Sequence, residues 1–323
     1  MSTEPQRLFL GVDGGGTKTR AVVVDAAGVE RGAATGAGAN PHRVGVERAV
    51  EAVTATAAEA ARLAGGRLPL EAAWLGLSGL DAPADYAALA PRLASLAGAT
   101  HLVNDAELLL AALPTQVGVA LIAGTGSIAV GRNAAGATTR VGGWGHALGD
   151  EGSGYALGGA ALVAAARAAD GRGAPTILLQ RILDAWGLDE ARQLIARVYA
   201  GAGGSETAPV APVAPVVLHA ARDGDAVAQG IVQRGAEELA LAALTAARTL
   251  GLGSDAASLP LALGGSLLLR AADYREAVLR AIRREQALGE TALVEQPALS
   301  AARAAITLTT SAAAQRKGET LDV

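Results

Sequence analysis

The sequence predicts an α/β protein made of a duplicated unit, and two glycine-rich hairpins are the first evidence for it. Leu8–Asp25 holds an apolar run, three consecutive glycines and a second apolar run, the pattern of two strands joined by a tight turn. Gly118–Arg132 repeats this order around a Gly-Thr-Gly-Ser turn. Each hairpin is followed by short apolar runs that alternate with helix-like segments, as in α/β proteins rather than helical bundles.

Apolar periodicity assigns the remaining elements in chain order. In the first half we predict strands over residues 29–32, 74–80 and 101–105, and helices over residues 44–62, 86–96 and 106–113. In the second half we predict helices over residues 156–169, 175–197, 225–250, 274–285 and 298–310, and strands over residues 259–266 and 293–295. Gly201–Pro215, which is low in complexity, is predicted to be a mobile loop, and Gly318–Val323 a frayed tail.

Composition and charge argue against several classes of function. The chain has 323 residues, 51% of them hydrophobic, which is enough for two domains or one large one. Its net charge of −4 and the lack of a long basic run make nucleic acid or an anionic membrane an unsuitable partner. It has no cysteine, which excludes disulfides, thiolate nucleophiles and Cys-ligated clusters. With no signal-peptide core and no bilayer-length apolar run, we expect a cytoplasmic protein without a membrane partner.

The first glycine turn is suited to bind phosphate. Gly14, Gly15 and Gly16 carry no side chains, so their backbone N–H groups can approach an anion closely, and Thr17 adds a hydroxyl. Asp13 stands where the first strand ends, where a carboxylate suits a hydrated Mg²⁺. The chain contains no G-x-x-x-x-G-K-[ST] string, which excludes a Walker loop. The glycines are followed by a strand and not by a helix, which excludes a dinucleotide fingerprint. A glycine-rich hairpin without a ligand explains the same residues equally well.

Asp105 is the candidate general base. It closes a short apolar strand, and the carboxyl ends of strands in α/β sheets face the crevice where ligands bind. An ionised carboxylate beside a hydroxyl can accept its proton. The alternative is that Asp105 caps the following helix, and the capping preference of Asp favours that alternative when the residue is considered alone.

Two further turns are candidate nucleotide-binding segments. The backbone amides and hydroxyls of Gly124, Thr125, Gly126 and Ser127 are suited to hold phosphate oxygens, although an ordinary hairpin turn is equally consistent. The second segment follows an apolar strand, and its paired glycines permit close approach to an adenine or ribose: Gly264, Gly265 and Ser266. Alone, the second segment is better explained as a strand-to-helix turn.

The segment from Gly142 to Tyr155 has the most unusual composition in the chain. It contains six glycines, Trp144 and two carboxylates, and an aromatic face near carboxylates suits a sugar. The alternative is a glycine-rich loop with Trp144 buried and Glu151 solvated. His146 is better explained as a structural hydrogen-bonding residue than as a base.

The order of these motifs resembles the N-acetylglucosamine kinase branch of the BadF/BadG/BcrA/BcrD ATPase family, within the sugar kinase, Hsc70 and actin superfamily. The resemblance covers nearly the whole chain. It rests on an ordered set of segments: GVDGGGTKT, the Gly-Ala-Asn loop ending at Asn40, VNDAE, IAGTGSIA, GGWGHALGDEGSGY and LALGGSLL.

The resemblance implies two RNase H-like domains of the actin and hexokinase type that flank an ATP cleft. They would span residues 1–114 and 115–297, with a final helix over about 298–316 packing back on the first domain. It further implies that Asp13 lies near Mg²⁺ and that Asp105 takes the proton from the sugar's 6-hydroxyl. The implied ATP-binding residues are Gly14, Gly15, Gly16, Thr17, Lys18, Gly124, Thr125, Gly126, Ser127, Gly264, Gly265 and Ser266. The implied sugar-binding residues are Asn40, Asp105, Gly143, Trp144, Gly145 and Asp150.

The sequence also departs from the family pattern. The absence of cysteine excludes the branch whose members hold an iron–sulfur cluster. Relatives place a glycine near the nucleotide where this chain has Ala, Pro and Val over Ala208–Val217, and the final helix has Ser300-Ala301-Ala302 where relatives often carry glycine.

The leading hypothesis is therefore an ATP-dependent kinase of N-acetylglucosamine. A glucosamine kinase is the nearest alternative, with Asp81 or Glu107 as the carboxylate that a protonated amine requires, and other hexosamines stay open. A sensor that binds ATP and sugar without catalysis is the alternative from another class. Asp105 and both intact turns argue against the sensor. Relatives form dimers, so a homodimer is the expected assembly.

Overall fold

A computed structural model describes residues 6–199, 209–253 and 258–318, with side chains described as far as residue 309. The chain divides into two compact units. The first unit combines Met1–Gln116 with Val294–Val323, and the second is the continuous segment Val117–Leu293.

A five-stranded mixed sheet forms the first unit. Its strands lie in the order β3-β2-β1-β4-β5, with the first hairpin antiparallel and with β4 and β5 parallel to β1. The bounds are β1 Leu8–Gly14, β2 Lys18–Asp25, β3 Glu30–Ala37, β4 Leu70–Leu77 and β5 Ala97–Asn104. All five strands lie where apolar runs predict them, although β3, β4 and β5 are longer than predicted.

Helices cover both faces of this sheet, because alternate residues of β1 point to opposite sides. Leu8, Leu10 and Val12 pack with α2 and α3, whereas Phe9 packs with α11. Gly11 allows α11 to approach the strand: a Cβ there would lie 2.0 Å from the carbonyl oxygen of Ala298. The helices of this unit are α1 Pro41–Val44, α2 Val46–Leu63, α3 Pro83–Leu93 and α11 Pro297–Gly318, with 3₁₀ helices at Ala94–Leu96 and Glu107–Ala112.

The second unit repeats the sheet pattern of the first. Its order is β10-β9-β6-β7-β8, with β6, β7 and β8 antiparallel and with β9 and β10 parallel to β6. The strands are β6 Gly118–Ala123, β7 Ser127–Arg132, β8 Thr138–Gly142, β9 Leu259–Gly264 and β10 Leu288–Leu293. The helices are α4 Gly154–Ala169, α5 Leu178–Trp186, α6 Gln193–Tyr199, α7 Ala214–Arg222, α8 Ala226–Thr249, α9 Ser266–Arg270 and α10 Ala272–Arg283, with a 3₁₀ helix at Ala211–Val213. This repetition confirms the predicted duplicated α/β fold.

Several predicted elements are wrong in extent. The helix predicted over residues 175–197 is two helices, because Gly187 takes a left-handed φ of 64° and ends α5 with a C-terminal cap. The helix predicted over residues 106–113 is the 3₁₀ helix Glu107–Ala112. The last strand is Leu288–Leu293 instead of residues 293–295, and its partly exposed side chains lack a clear apolar alternation.

The segment predicted as a mobile loop, Gly201–Pro215, is helical where the structure describes it after residue 208. A 3₁₀ helix at Ala211–Val213 continues directly into α7. Pro212 and Pro215 lie in first turns, where a missing N–H costs no helical hydrogen bond. Residues 201–208 and 319–323 of the two segments predicted to lack structure lie outside the described residues. No described helix has both the length and the apolarity needed to span a bilayer.

Candidate active site

The carboxyl ends of three parallel strands come together in the first unit. Gly14 ends β1 opposite Leu77, which ends β4 opposite Asn104 at the end of β5. The candidate residues Asp13 and Asp105 adjoin these ends. Ligands of α/β sheets bind at this edge, which supports the choice of both carboxylates as site residues.

The first glycine turn is held by backbone hydrogen bonds. The N–H of Gly15 donates to the carbonyl of Lys18 at 2.9 Å, and its own carbonyl accepts from Ala39 at 2.9 Å. A Cβ at Gly14 would lie 2.3 Å from a methyl carbon of Leu77, so packing against β4 requires the absence of a side chain. Gly14 therefore serves close packing, a role that the phosphate-binding hypothesis does not by itself predict.

Asp13 lines a pocket of about 330 Å³ beside this turn, together with Gly15, Thr17, Lys18 and Arg20 from the hairpin. The remaining lining comes from the start of α11 and the residues before it, Glu295–Ala298. Burial raises the pKa of Asp13, and the nearby positive charge of Lys18 partly opposes this rise. A bound cation would stabilise the ionised form of this carboxylate further.

Asp105 is half-buried and directly follows β5. Its N–H donates to the carbonyl of Leu77 at 3.3 Å, which fixes its backbone against the end of β4. The carbonyl of Asp105 accepts the N–H of Leu108 at 3.2 Å, so the backbone of Asp105 takes part in the first turn of the following 3₁₀ helix, which is consistent with the capping alternative. Asn104 accepts the N–H of Ala106 through its side-chain oxygen at 2.9 Å.

Asn40 lies at the same edge of the first sheet. Its side-chain oxygen accepts the N–H of His42 at 2.9 Å and caps α1. A Cβ on Gly79 would lie 2.8 Å from that oxygen, so Asn40 packs against the segment that follows β4. The next residue of this segment, Leu80, accepts a hydrogen bond from Asn104 at 3.2 Å. Asn40 and the strand end that carries Asp105 therefore share contacts with one segment.

Side-chain hydrogen bonds hold the second glycine turn, in the second unit. The N–H of Ser127 donates to the carboxylate of Asp150 at 3.2 Å, and its hydroxyl donates to the carbonyl of Glu151 at 2.7 Å. A Cβ at Gly126 would lie 2.7 Å from the Asp150 carboxylate. Asp150, expected from the resemblance to contact the sugar, is thus also a support of the turn.

A pocket of about 490 Å³ contains two of the predicted nucleotide segments. Gly124 and Thr125 of the second turn and Ser266 of the third lie on its wall. Gly265 has a left-handed φ of 83°, and a Cβ there would lie 2.4 Å from the carbonyl oxygen of Ala123. Glycine is required at Gly265 because it both turns the chain and packs on β6.

The same pocket has a wall from a segment that the sequence analysis predicted to be a mobile loop. It comes from the segment around the start of α7, with small side chains at Ala211, Pro212 and Pro215. Two arginines and a histidine also line the pocket: Arg222, Arg270 and His219. The two prolines were the available signal, since proline near the start of a periodic run favours a helix N-terminus over a loop.

The glycine-rich loop after β8 presents Trp144 to solvent. Trp144 is 74% exposed, so the alternative with this side chain buried is wrong, while Glu151 is exposed as that alternative expected. Gly143 and Gly145 on either side have φ values of 69° and 83°. Arg140 supports the loop by donating to the carbonyl of Gly143 at 2.6 Å.

Residues 10–296 match the BadF/BadG/BcrA/BcrD ATPase family. The chain belongs to this family. The match includes every predicted site residue and stops just before α11. As a member of an ATPase family, the chain shares its sheet architecture with proteins that use ATP.

Two curated relatives are kinases of amino sugars. The N-acetylmuramic acid/N-acetylglucosamine kinase of Clostridium acetobutylicum is 38% identical over 181 residues, which are 55% of this chain and 58% of the relative. The N-acetyl-D-glucosamine kinase of Dictyostelium discoideum is 34% identical over 208 residues, which are 60% of this chain and 65% of the relative. In both cases this ATPase-family chain matches less than two thirds of the relative's length.

One solved structure extends the likeness to almost the full length. It is a Chromobacterium violaceum protein provisionally named an N-acetylglucosamine kinase, and it is 29% identical with a TM-score of 0.66. The likeness covers 94% of this chain and 99% of the other. The sugar-kinase fold that the resemblance implied is thereby confirmed for this member of the family.

Proposed function

We propose that the protein is an ATP-dependent kinase that phosphorylates the 6-hydroxyl of N-acetylglucosamine. The observation that carries this proposal is the pocket of about 490 Å³, in which two independently chosen segments, Gly124–Thr125 and Ser266, line one space. Curated relatives that act on N-acetylglucosamine support the choice of substrate.

ATP would be held by the three glycine segments. The pocket of about 490 Å³ would take the adenosine, with Ser266 of the segment Gly264–Ser266 on one side and small side chains near the start of α7 on the other. Ala211 and Pro212 leave room where relatives carry glycine, so the departure in this segment is compatible with a nucleotide. The phosphates would contact the amides of Gly124–Ser127 and of the first turn, Gly14–Lys18.

The residues proposed to contact the sugar are Asn40, Asp105, Gly143, Trp144, Gly145 and Asp150. The exposed face of Trp144 is suited to the apolar C–H face of a pyranose ring. Asp150 would then have two functions, since its carboxylate already accepts the N–H of Ser127.

Asp105 would be the general base. The 6-oxygen of the sugar bonds to the γ-phosphorus while the bond from that phosphorus to the β,γ-bridging oxygen breaks, and ADP leaves. The carboxylate of Asp105 accepts the hydroxyl proton as the oxygen attacks. Amide-lined turns that hold phosphate oxygens would supply the charge stabilisation on which phosphoryl transfer mainly depends.

Mg²⁺ would bind beside Asp13, in the pocket that Thr17 and Lys18 also line. The donor set fits a hydrated ion: no group of three or more acidic or histidine ligands occurs among the described residues, so water would complete the coordination. When bound, the ion neutralises charge on the phosphates.

A free-amine substrate is favoured by one observation. Asp81 lies 3.5 Å from the side-chain nitrogen of Asn104, the residue before the proposed base. A carboxylate near this strand end could pair with the protonated amine of glucosamine, so glucosamine is the second candidate substrate. We also propose that the protein acts in the cytoplasm, where ATP is available, and that it is a homodimer.

The experiment that tests the proposed function is an ADP-release assay with N-acetylglucosamine on the wild-type protein and the Asp105→Asn variant. We expect the variant to keep ATP and sugar binding and to lose about 10²–10⁴ in turnover, the usual contribution of a general base. Glu71→Gln is the matched control, since Glu71 lies on β4 near its other end and pairs with Arg7 on the surface. Turnover near the wild-type value in Asp105→Asn would show that Asp105 is not the base.

A further inference from the structure

Tyr274 is a buried polar residue to which the proposed reaction assigns no role. It lies in the first turn of α10 with no exposed surface, and its hydroxyl donates to the carbonyl of Gly152 at 2.7 Å. Burial raises the pKa of this hydroxyl far above its ordinary value, so it stays a neutral donor. A buried donor and acceptor that are paired are costly to separate.

The hydroxyl lies at a close junction of three elements. Gly152 has a left-handed φ of 72°, and a Cβ there would lie 2.3 Å from the carbonyl of Gly235 in α8. A Cβ on Gly235 would in turn lie 2.7 Å from the Tyr274 hydroxyl. The loop before α4 is therefore packed on α8 and bonded to α10, with no room for a larger side chain at either glycine.

This loop is also joined to the second glycine turn. Ser127 donates to Glu151 and to Asp150, the two residues before Gly152. On the other side of Gly152, the N–H of Gly154 donates to the carbonyl of Gly124 at 2.8 Å. The backbone of this loop thus connects the hydrogen bond from α10 with the hydrogen bonds to both ends of the turn.

We propose that Tyr274 is a positioning residue that fixes the Gly124–Ser127 turn in the arrangement that binds the ATP phosphates. This inference rests on the proposed function of the turn. Tyr274 acts through Gly152 and not by touching the nucleotide. Removal of its hydroxyl leaves the Gly152 carbonyl without this donor and loosens the loop that supports Ser127.

The test is the Tyr274→Phe variant of the full chain, compared with Val278→Ala. Val278 is buried one turn further along α10, so its truncation weakens the same helix without removing a hydrogen bond. For Tyr274→Phe we expect KM for ATP and the dissociation constant of ATP to rise by up to about tenfold, the factor that applies when the binding arrangement of the turn alone loses the free energy of this hydrogen bond. Val278→Ala should lower the unfolding midpoint and leave both ATP constants as in the wild type.

Equal ATP constants in Tyr274→Phe and Val278→Ala would overturn the inference, because Tyr274 would then be merely structural. A second measurement on the wild type uses amide hydrogen exchange. ATP should slow the exchange of Ser127 and Gly154 together with amides of α10, and protection of the turn alone would also contradict the inference. If the wild type binds ATP but releases no ADP with sugar, the proposed function fails, while the ATP dissociation constants still decide the role of Tyr274.

Discussion

The two glycine turns occupy equivalent places in the two sheets, and backbone hydrogen bonds close both, but their further supports differ. The first turn adds the packing of Gly14 against the flexible end of Leu77. The second turn adds hydrogen bonds from Ser127 to Asp150 and Glu151, and it is tied to a buried tyrosine through the following loop. Equivalent topology therefore does not dictate how a turn is stabilised.

The pockets beside the two turns differ in the same way. The first is lined by charged groups of both signs, among them Asp13, Lys18 and Glu295. The second combines small apolar side chains with two arginines and a histidine. We infer that a charged pocket suits a hydrated metal and phosphates, whereas a wall of Ala and Pro suits a nucleotide base. The duplicated fold thus supplies two chemically different sites.

The largest loss of stability is expected from a substitution at Gly265, which packs on Ala123 directly before the second turn. Gly265→Ala combines a left-handed φ with contact on a backbone carbonyl that cannot move aside, so we expect a loss of about 3 kcal/mol in unfolding free energy. Gly14→Ala meets a movable Leu77 methyl and should cost about 1 kcal/mol. Denaturant unfolding measures both.

Gly136→Ala is the matched control for this comparison. Gly136 has a φ of 82° with nothing within 4 Å of its Cβ position, so the substitution isolates the backbone strain, about 1 kcal/mol. If Gly14→Ala destabilises the protein as much as Gly265→Ala, the inferred difference between a movable side-chain contact and a rigid backbone contact is wrong.

A smaller, pH-dependent effect is expected at the helix caps of the second unit. Desolvation raises the pKa of Asp225, but hydrogen bonds from Ala228, Ile177 and other donors outweigh it, so the net shift is downward. A lowered folded-state pKa stabilises the protein above the ordinary Asp pKa of about 3.9, and this stabilisation is lost as pH falls through the folded value.

Asp225→Ala should therefore cost about 1 kcal/mol at neutral pH, and its difference from the wild type should shrink in acid. Ser153 caps α4 through a hydroxyl that does not titrate, so Ser153→Ala is the control and should lose stability to the same extent at every pH. Urea unfolding at several pH values tests the pair. A pH-independent difference for Asp225→Ala would contradict the assignment.

The sequence alone predicted the turns because glycines between apolar runs are a local signal. Gly124 could be considered as a phosphate contact from its neighbours in the chain, whereas Ser266 became a nucleotide candidate only through the family resemblance. That both line one pocket could not be predicted, since the strands that precede them are far apart in sequence and pair only in the folded sheet.

Contacts made by distant segments were missed for the same reason. The wall at Ala211 and Pro212 was interpreted as a loop because small and proline residues carry little periodicity. Tyr274 was assigned only to a helix, since nothing near it in the chain indicates a partner at Gly152. The fold class could be predicted because it depends on repeated local patterns. The residues that support the site could not be predicted, because they are brought together only by packing.

The most direct test of the proposed kinase is an ADP-release assay with Mg·ATP against a panel of sugars: N-acetylglucosamine, glucosamine, N-acetylmannosamine, N-acetylmuramic acid and glucose. We predict release that depends on N-acetylglucosamine and exceeds release with every other sugar. Preference for glucosamine would show that the protein recognises the free amine and not the acetamide. ADP release with none of the sugars, while ATP still binds, would contradict the kinase and support a sensor.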